Sequence, residues 1–256
     1  MKISIITVCY NSEKTIRDTI ESVLSQDYPD IEYIVVDGLS KDNTIDIINE
    51  YRGEITNIVS EPDSGIYDAM NKGIRYSTGD VVGILNSDDF FENLHVISDV
   101  VKHFKRNPTA SCIFGDVVFV DPCCSKNITR FYSSERFRPW KLRFGWMPPH
   151  PATFIKRVVY KKFGGYTVGY KISADYEFFV RMFMVHKLAY SRIDKVLVRM
   201  RAGGVSTSGV KSTLLLNSEI VKACKSNGIY TNLFLILLKA PFKILEIVRR
   251  PKISKV

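Results

Sequence analysis

The stretch Val81-Val82-Gly83-Ile84-Leu85-Asn86-Ser87-Asp88-Asp89 decides the fold. Residues 81–85 form a short, near-continuous apolar run, the pattern of a strand buried on both faces, and the run stops at once in polar residues. Upstream, Ile3-Ser4-Ile5-Ile6-Thr7-Val8 and Tyr33-Ile34-Val35-Val36-Asp37 repeat that pattern, and Ile58-Val59 gives a shorter version of it. Helical spacing fills the gaps, at Ile16, Ile20, Val23 and Leu24, at Ile45 and Ile48, over residues 66–76, and at Val96, Val100, Val101 and Phe104 before the Asn107-Pro108 breaker. Strand and helix thus alternate four times in the first hundred residues. This predicts an α/β fold, with a mostly parallel sheet and helices on both faces. Ligands of such sheets sit beyond the C-terminal strand ends. The polar residues at those ends are Tyr10, Asp37 and the pair Asp88 and Asp89.

The second half is more mixed. Ile113–Val120 reads as a strand, residues 121–150 as a loop-rich aromatic segment with Trp140, Phe144 and Trp146, residues 173–187 as a helix, and residues 189–201 as a strand leading to Gly203-Gly204. The 256 residues suit one large domain or one domain plus a tail, and a 45% hydrophobic content supplies a full core. Lys and Arg outnumber Asp and Glu by 36 to 27, a net charge of +9 that accumulates late in the chain and favours anionic partners. No nucleic-acid recognition motif accompanies that charge, so nucleic-acid binding is not expected. The five cysteines form no C-x-x-C unit, which argues against zinc and for free thiols. The N-terminus runs straight into a strand and shows no signal peptide.

Two adjacent carboxylates at a strand end repel one another and resist desolvation. A divalent cation relieves both costs. Oxygen ligands of this kind suit Mn²⁺ or Mg²⁺, which can also take phosphate oxygens. The competing reading of Asp88-Asp89 is a solvated turn with a helix cap. Tyr10 reads either as a ring for a nucleobase or as a turn tyrosine, and Asp37 either as an acceptor for a base or ribose or as a cap.

Taken in order, Ile5–Asn11, Val35–Thr44, Ser64–Gly73 with Thr78-Gly79-Asp80, and Leu85–Asp89 resemble the family 2 glycosyltransferases of the inverting GT-A type, in the branch that builds bacterial surface polysaccharides such as O-antigen, capsule and colanic acid. The resemblance implies a GT-A fold and roles by position. Tyr10 and Asp37 would hold the nucleoside, usually uridine. Asp68, Asn71, Lys72 and Asp88 would line the donor site. Asp88 and Asp89 would fill the family's metal-binding place, with Asp89 the direct ligand and Ser87 standing where the strict pattern has Asp. Ser173-Ala174-Asp175-Tyr176-Glu177 matches the segment that supplies the general base, so Asp175 is the candidate base and Glu177 the fallback, with Ala174 in place of the usual Glu. An inverting displacement needs such a base opposite the leaving group. For Asp175 the plain alternative is a helix cap. His150, within Met147–Phe154, would contact acceptor or diphosphate and with Trp146 form a sugar-stacking wall, and Gly203–Ser206 would close over the donor.

The chain then divides into residues 1–105, the nucleotide-sugar half of one domain; 106–212, the acceptor and catalytic half; and 213–256, an amphipathic basic tail. Leu233–Leu238 is continuously apolar, and Lys239, Lys243, Arg249, Arg250, Lys252 and Lys255 follow. The run is far short of the roughly 20 residues that span a bilayer. It suits a helix lying on an anionic membrane surface, or one docked on a second copy of the chain. The expected enzyme takes a nucleotide-diphosphate sugar and a lipid-linked oligosaccharide at the inner face of the cell membrane. A sugar-nucleotide-making nucleotidyltransferase would need a Gly-rich, Arg-containing loop after the first strand, and Thr7–Ser12 is not one. A non-catalytic sugar-nucleotide-binding or scaffold protein would not need Asp175.

Overall fold

The structure, a computed structural model, describes residues 1–122, 124–201 and 210–238. The expectations for Cys123, for the Gly203–Ser206 loop and for the chain beyond Leu238 fall outside those residues. Nine strands form one sheet: β1 (Ile3–Cys9), β2 (Ile31–Asp37), β3 (Asn57–Ser60), β4 (Val81–Ile84), β5 (Asp89–Phe91), β6 (Cys112–Asp121), β7 (Cys124–Tyr132), β8 (Thr153–Lys156) and β9 (Tyr190–Arg201). Their order is β3-β2-β1-β4-β8-β6-β9-β5, with β7 on the free side of β6. The four N-terminal strands are parallel, as the alternation predicts. Beyond them β8 runs antiparallel to both β4 and β6, β5 antiparallel to β9, and β6 parallel to β9. The sheet is therefore mixed and continuous across both halves of the chain.

Side chains of a strand alternate between faces, and here each face has its own core. Ile6, Val8, Ile34 and Val36 join α3 (Ile66–Tyr76), α6 (Ala174–Phe179) and α7 (Val210–Ser226). Ile3, Ile5, Tyr33 and Val35 join α1 (Ile16–Leu24), α2 (Thr44–Glu50) and α4 (Val96–Arg106). Most of these strand residues are fully buried, and each such side chain contributes about 1.5–3 kcal/mol. Burial on both faces is why β1, β2 and β4 read as unbroken apolar runs.

Two segments that the sequence assigns to other structure depart from that expectation. The loop-rich segment after β6 contains β7, an edge strand whose Lys126–Arg130 composition carries no apolar stripe. The helix expected over 173–187 is α-helical only to Phe179 and then widens into a π-helical turn over Val180–Val185. Two further helices complete the fold, α5 (Arg157–Phe163) and α8 (Leu233–Leu237).

The two ends of the parallel strands differ in polarity. At the N-terminal end, buried Glu32 accepts from Ser4 Oγ (2.6 Å), Thr78 N (2.7 Å) and Thr78 Oγ1 (2.5 Å), and pairs with Lys2 (2.8 Å). Burial alone would raise its proton affinity, but these partners outweigh it and bring the pKa down to about 2. At the C-terminal end, Asn86 Oδ1 and Asp89 Oδ1 are buried without a hydrogen-bond partner. Buried polar groups are normally paired, so this end is where the fold leaves chemistry open.

Candidate active site

Three loops build the crevice at that end. The first follows β1, where Tyr10 is 57% exposed and Asn11 has a φ of 48°. The second follows β2, where exposed Leu39 has a φ of 62°. Two non-glycine residues in the left-handed region at one end of a sheet are a local concentration of backbone strain, as is common at functional sites. The loops hold each other: Asn11 N donates to Ser40 Oγ (2.8 Å) and Lys41 N to Asn11 Oδ1 (2.8 Å). The third loop, Glu61–Gly65, follows β3. Tyr10, Gly38, Leu39, Lys41, Pro62, Asp63 and Gly65 line a cavity of about 440 Å³. Gly38 lets Asp63 approach closely: a Cβ there would lie 2.4 Å from Asp63 Oδ2 and would push that side chain aside.

Of the donor-side candidates, Tyr10 lines this cavity. Asp37 lies beneath it. Its carboxylate is buried and accepts from Ser40 N (3.1 Å), Ser40 Oγ (2.5 Å) and Ser60 Oγ (2.7 Å), so in this structure it shapes the turn that lines the cavity. Asp68 and Lys72 do not line it either. Lys72 is buried, donates to Pro62 O (2.5 Å) and pairs with Glu61 (3.0 Å) and Asp68 (3.8 Å), while Asp68 accepts from Ser64 N (3.0 Å). Together they brace the third loop. Asn71 is turned away from it: both ends of its amide bond the Tyr166 backbone at 2.8 Å. Asp63 is the cavity-lining carboxylate that the sequence reading missed. An acidic loop residue carries no signal of its own until the fold sets it against Gly38 and Tyr10.

The crevice continues to the end of β4. Ser12 Oγ and Ser87 Oγ are hydrogen-bonded at 2.8 Å, joining the first loop to the Asp88-Asp89 motif. Asp89 opens β5, and its backbone is fixed by Thr19 Oγ1 donating to its carbonyl (2.7 Å). Its side chain is 1% exposed; Asn86 Nδ2 reaches Oδ2 at 3.4 Å and Oδ1 has no partner. Burial, and then the adjacent Asp88 charge, push its carboxyl well above the usual range. Burial also raises Asp88, partly offset by its own backbone N–H and by Arg201. Arg201, at the end of β9, donates to Asp88 O (3.0 Å) and lies over the Phe90 ring at 5.0 Å. Two crowded carboxylates and an orphaned oxygen fit a divalent cation by their chemistry. Among the described residues no third His, Cys, Asp or Glu joins them, so the remaining positions would be left to other oxygens.

Asp175 is bonded by Tyr67, two residues past the cavity-lining Gly65. The Tyr67 hydroxyl reaches both the Ile172 carbonyl and Asp175 Oδ1 (3.2 Å). Tyr176 N also donates to Oδ1 (2.8 Å), whereas Oδ2 accepts from no described residue. Burial is the main cause that brings the Asp175 pKa up to about 6. That leaves an ionised carboxylate at neutral pH with one oxygen free to take a proton.

The acceptor-side candidates separate. Glu177 is buried and consumed: it accepts from Thr167 Oγ1 (2.9 Å), Asn227 Nδ2 (3.0 Å) and Arg181 Nε (3.0 Å). It is part of the packing between α6 and α7 and is no substitute base. His150 is buried, bonds Tyr166 Oη (2.7 Å) and packs on Phe179, and burial lowers its pKa to about 4. It is a neutral core histidine. Trp146 is half-buried at the end of a 3₁₀ turn, Pro139–Phe144, that is tied to α6 by the Tyr176 hydroxyl donating to Leu142 O. Its segment borders the helix that carries Asp175.

Comparison with known proteins bears on the family and the fold. Residues 4–171 match the family model described as glycosyl transferase family 2. An uncharacterized glycosyltransferase of Mycobacterium tuberculosis is 31% identical over 218 residues, covering 82% of this chain and 77% of the relative. A PGL/p-HBAD biosynthesis glycosyltransferase of Mycobacterium bovis is 28% identical over 216 residues, covering 83% and 82%. Among solved structures, S. aureus TarS 1–349 in complex with UDP-GlcNAc superposes with a TM-score of 0.65 at 19% identity, covering 86% of this chain and 67% of that one. The mannosyltransferase PcManGT from Pyrobaculum calidifontis, in complex with GDP-Man and Mn²⁺, gives 0.61 at 17% identity, covering 96% and 73%.

Proposed function

The chain belongs to glycosyl transferase family 2, and from that premise we propose that it is an inverting glycosyltransferase using a nucleotide-diphosphate sugar, with UDP as the nucleotide and Asp175 as general base. The supporting observation is a carboxylate, Asp175, with one oxygen that accepts from no described residue and the other bonded by Tyr67 of α3, the helix that begins directly after the cavity-lining Gly65. In this reading residues 1–105 hold the donor. Tyr10 stacks on the base, Asp63 and the Lys41 backbone face the nucleoside, and Asp88 and Asp89 hold Mn²⁺ or Mg²⁺. The cation would neutralise the diphosphate as it leaves. Residues 106–212 take the acceptor. Its hydroxyl gives its proton to Asp175 Oδ2 as its oxygen bonds the anomeric carbon, and the bond from that carbon to the diphosphate breaks on the opposite face.

The acceptor is proposed to be a lipid-linked oligosaccharide in surface-polysaccharide assembly, used at the inner face of the cell membrane. Among the described residues no helix is long and apolar enough to cross a membrane. However, α8 exposes Leu233 (53%), Phe234 (71%) and Leu237 (55%) while Ile236 is buried, and the residues after it are strongly basic. That combination suits adsorption to anionic lipid. The purified protein is expected to co-sediment with phosphatidylglycerol vesicles at low salt and to be released by 0.5 M salt. Equal binding to phosphatidylcholine, or a stable dimer that hides Phe234, would count against the membrane reading.

The functional assignment itself is tested by a donor screen. Purified protein is incubated with UDP-, GDP- and dTDP-sugars, and nucleoside diphosphate release is followed with Mn²⁺, with Mg²⁺ and with chelator. Metal-stimulated release from one UDP-sugar is the expected result. Binding of a donor by calorimetry with no turnover on any lipid extract would favour a non-catalytic sugar-nucleotide-binding role.

A further inference from the structure

Glu219 of α7 is 8% exposed, yet among the described residues it forms no ion pair with a lysine or arginine. Its carboxylate is occupied by backbone. Oε1 accepts from Lys171 N (2.7 Å), and Oε2 from Ile172 N (2.9 Å) and Ser173 N (3.0 Å). These are the three residues leading into α6. Ser173, at the cap position, makes no capping bond with its own side chain, and its hydroxyl is buried without a partner. The start of α6 is therefore held by a residue from another helix. On the other side of the same segment, Tyr67 of α3 takes the Ile172 carbonyl. Ile172 is gripped through its backbone N–H by Glu219 and through its C=O by Tyr67, and Asp175 stands three residues on. Three backbone N–H groups on one carboxylate are a stronger restraint than a solvent-facing loop receives.

We propose that Glu219 is a positioning residue for the reaction: it fixes Lys171–Ser173 and thereby sets where the Asp175 carboxylate meets the acceptor hydroxyl. This rests on Asp175 being the base. Glu219 lies beyond the residues that match the family model, which end at 171. The groups facing Asp175 are Tyr67 from α3, Tyr166 from the loop before α6, and Glu219 from α7. Burial holds both tyrosines protonated, and His150 behind Tyr166 is neutral. Glu219 is thus the charged member, and it acts to raise the Asp175 proton affinity.

The test is Glu219→Gln, which keeps the shape, removes the charge and points an amide NH₂ at backbone N–H donors. At pH 8, kcat is expected to fall roughly 10- to 100-fold, the scale of a catalytic group displaced by about an ångström, with the donor KM within twofold of wild type. The acidic limb of the pH–kcat profile should move to lower pH, because a negative neighbour has been removed. In an Asp175→Asn background the same substitution should cost no further activity. An unmoved acidic limb, or an equal loss in both backgrounds, would overturn the proposal. Full activity of Asp175→Asn alone would instead remove its premise. If Glu219→Gln fails to fold by circular dichroism, Glu219→Asp, which keeps the charge on a shorter stem, is expected to keep the wild-type limb with reduced kcat; a displaced limb in that variant would overturn the proposal.

Discussion

Asp175→Asn is expected to lower kcat by roughly 10²- to 10⁴-fold, the usual contribution of a positioned general base, and to leave donor binding unchanged. The amide keeps an oxygen for Tyr176 N and for the Tyr67 hydroxyl, the two donors that fix Oδ1, and loses only the capacity to take a proton. In the wild type, kcat should rise with pH and reach half its plateau near the value to which burial lifts this carboxyl, about 6. Stability should move in the other direction. The folded pKa stands above the unfolded reference of 3.8, so the protonated form is the one that folding favours. That contribution is fully present below pH 3.8 and is lost as pH rises through about 6. The variant should therefore melt at or above the wild-type temperature, with the gap widening between about pH 4 and about pH 6 and constant above that. Circular dichroism melts across that range check this independently of any substrate. Activity within tenfold of wild type would assign the base elsewhere. Glu177 is an unpromising heir, because its carboxylate is already engaged by Arg181, Asn227 and Thr167.

Much of this was legible in the sequence. The parallel core could be read because strands buried on both faces have nothing polar to interrupt them, as in Ile34-Val35-Val36 and Val81-Val82. Helix α3 was predicted to the residue, since its apolar positions recur at helical spacing between Gly65 and the Thr78-Gly79 turn. Strand β5 was not legible: its three residues, Asp89–Phe91, are a strand because β9 pairs with them, and β9 lies a hundred residues later. The site divides in the same way. Residue chemistry at strand ends marked Tyr10, Asp88 and Asp89, and the motif marked Asp175. What sequence could not supply was where a side chain points. His150 and Glu177 have catalytic chemistry but are buried among partners, and Asn71 is taken up by the Tyr166 backbone. Asp63, Tyr67 and Glu219 matter because the fold brings them to Gly38, Asp175 and Ser173, and no local pattern announces such a meeting.

Asp89→Asn should separate metal binding from folding. The side chain is buried with Oδ1 unpaired, so the isosteric amide fits the same space and removes one of two crowded negative charges. The variant is expected to fold as wild type does and to lose metal-stimulated turnover by roughly 10²-fold or more, since the charge building on the leaving diphosphate would lose a stabilising contact worth several kcal/mol. A binding readout makes the point without turnover. A ligand at 100 times its Kd adds about 2.7 kcal/mol to stability, and each kcal/mol moves Tm by about 2–4 °C in a domain of this size class. Saturating Mn²⁺ with UDP should then raise the wild-type Tm by roughly 5–10 °C, on the arithmetic of those two relations. Asp89→Asn should show little of that rise with Mn²⁺ and UDP together, and the same small response as wild type to UDP in the presence of chelator. Asp88→Asn should fall between them, because that carboxylate is less buried and its backbone carbonyl is already bonded by Arg201. An undiminished Mn²⁺-dependent shift in Asp89→Asn would show that the cation is held by other oxygens, and the open end of β4 would then need a different occupant.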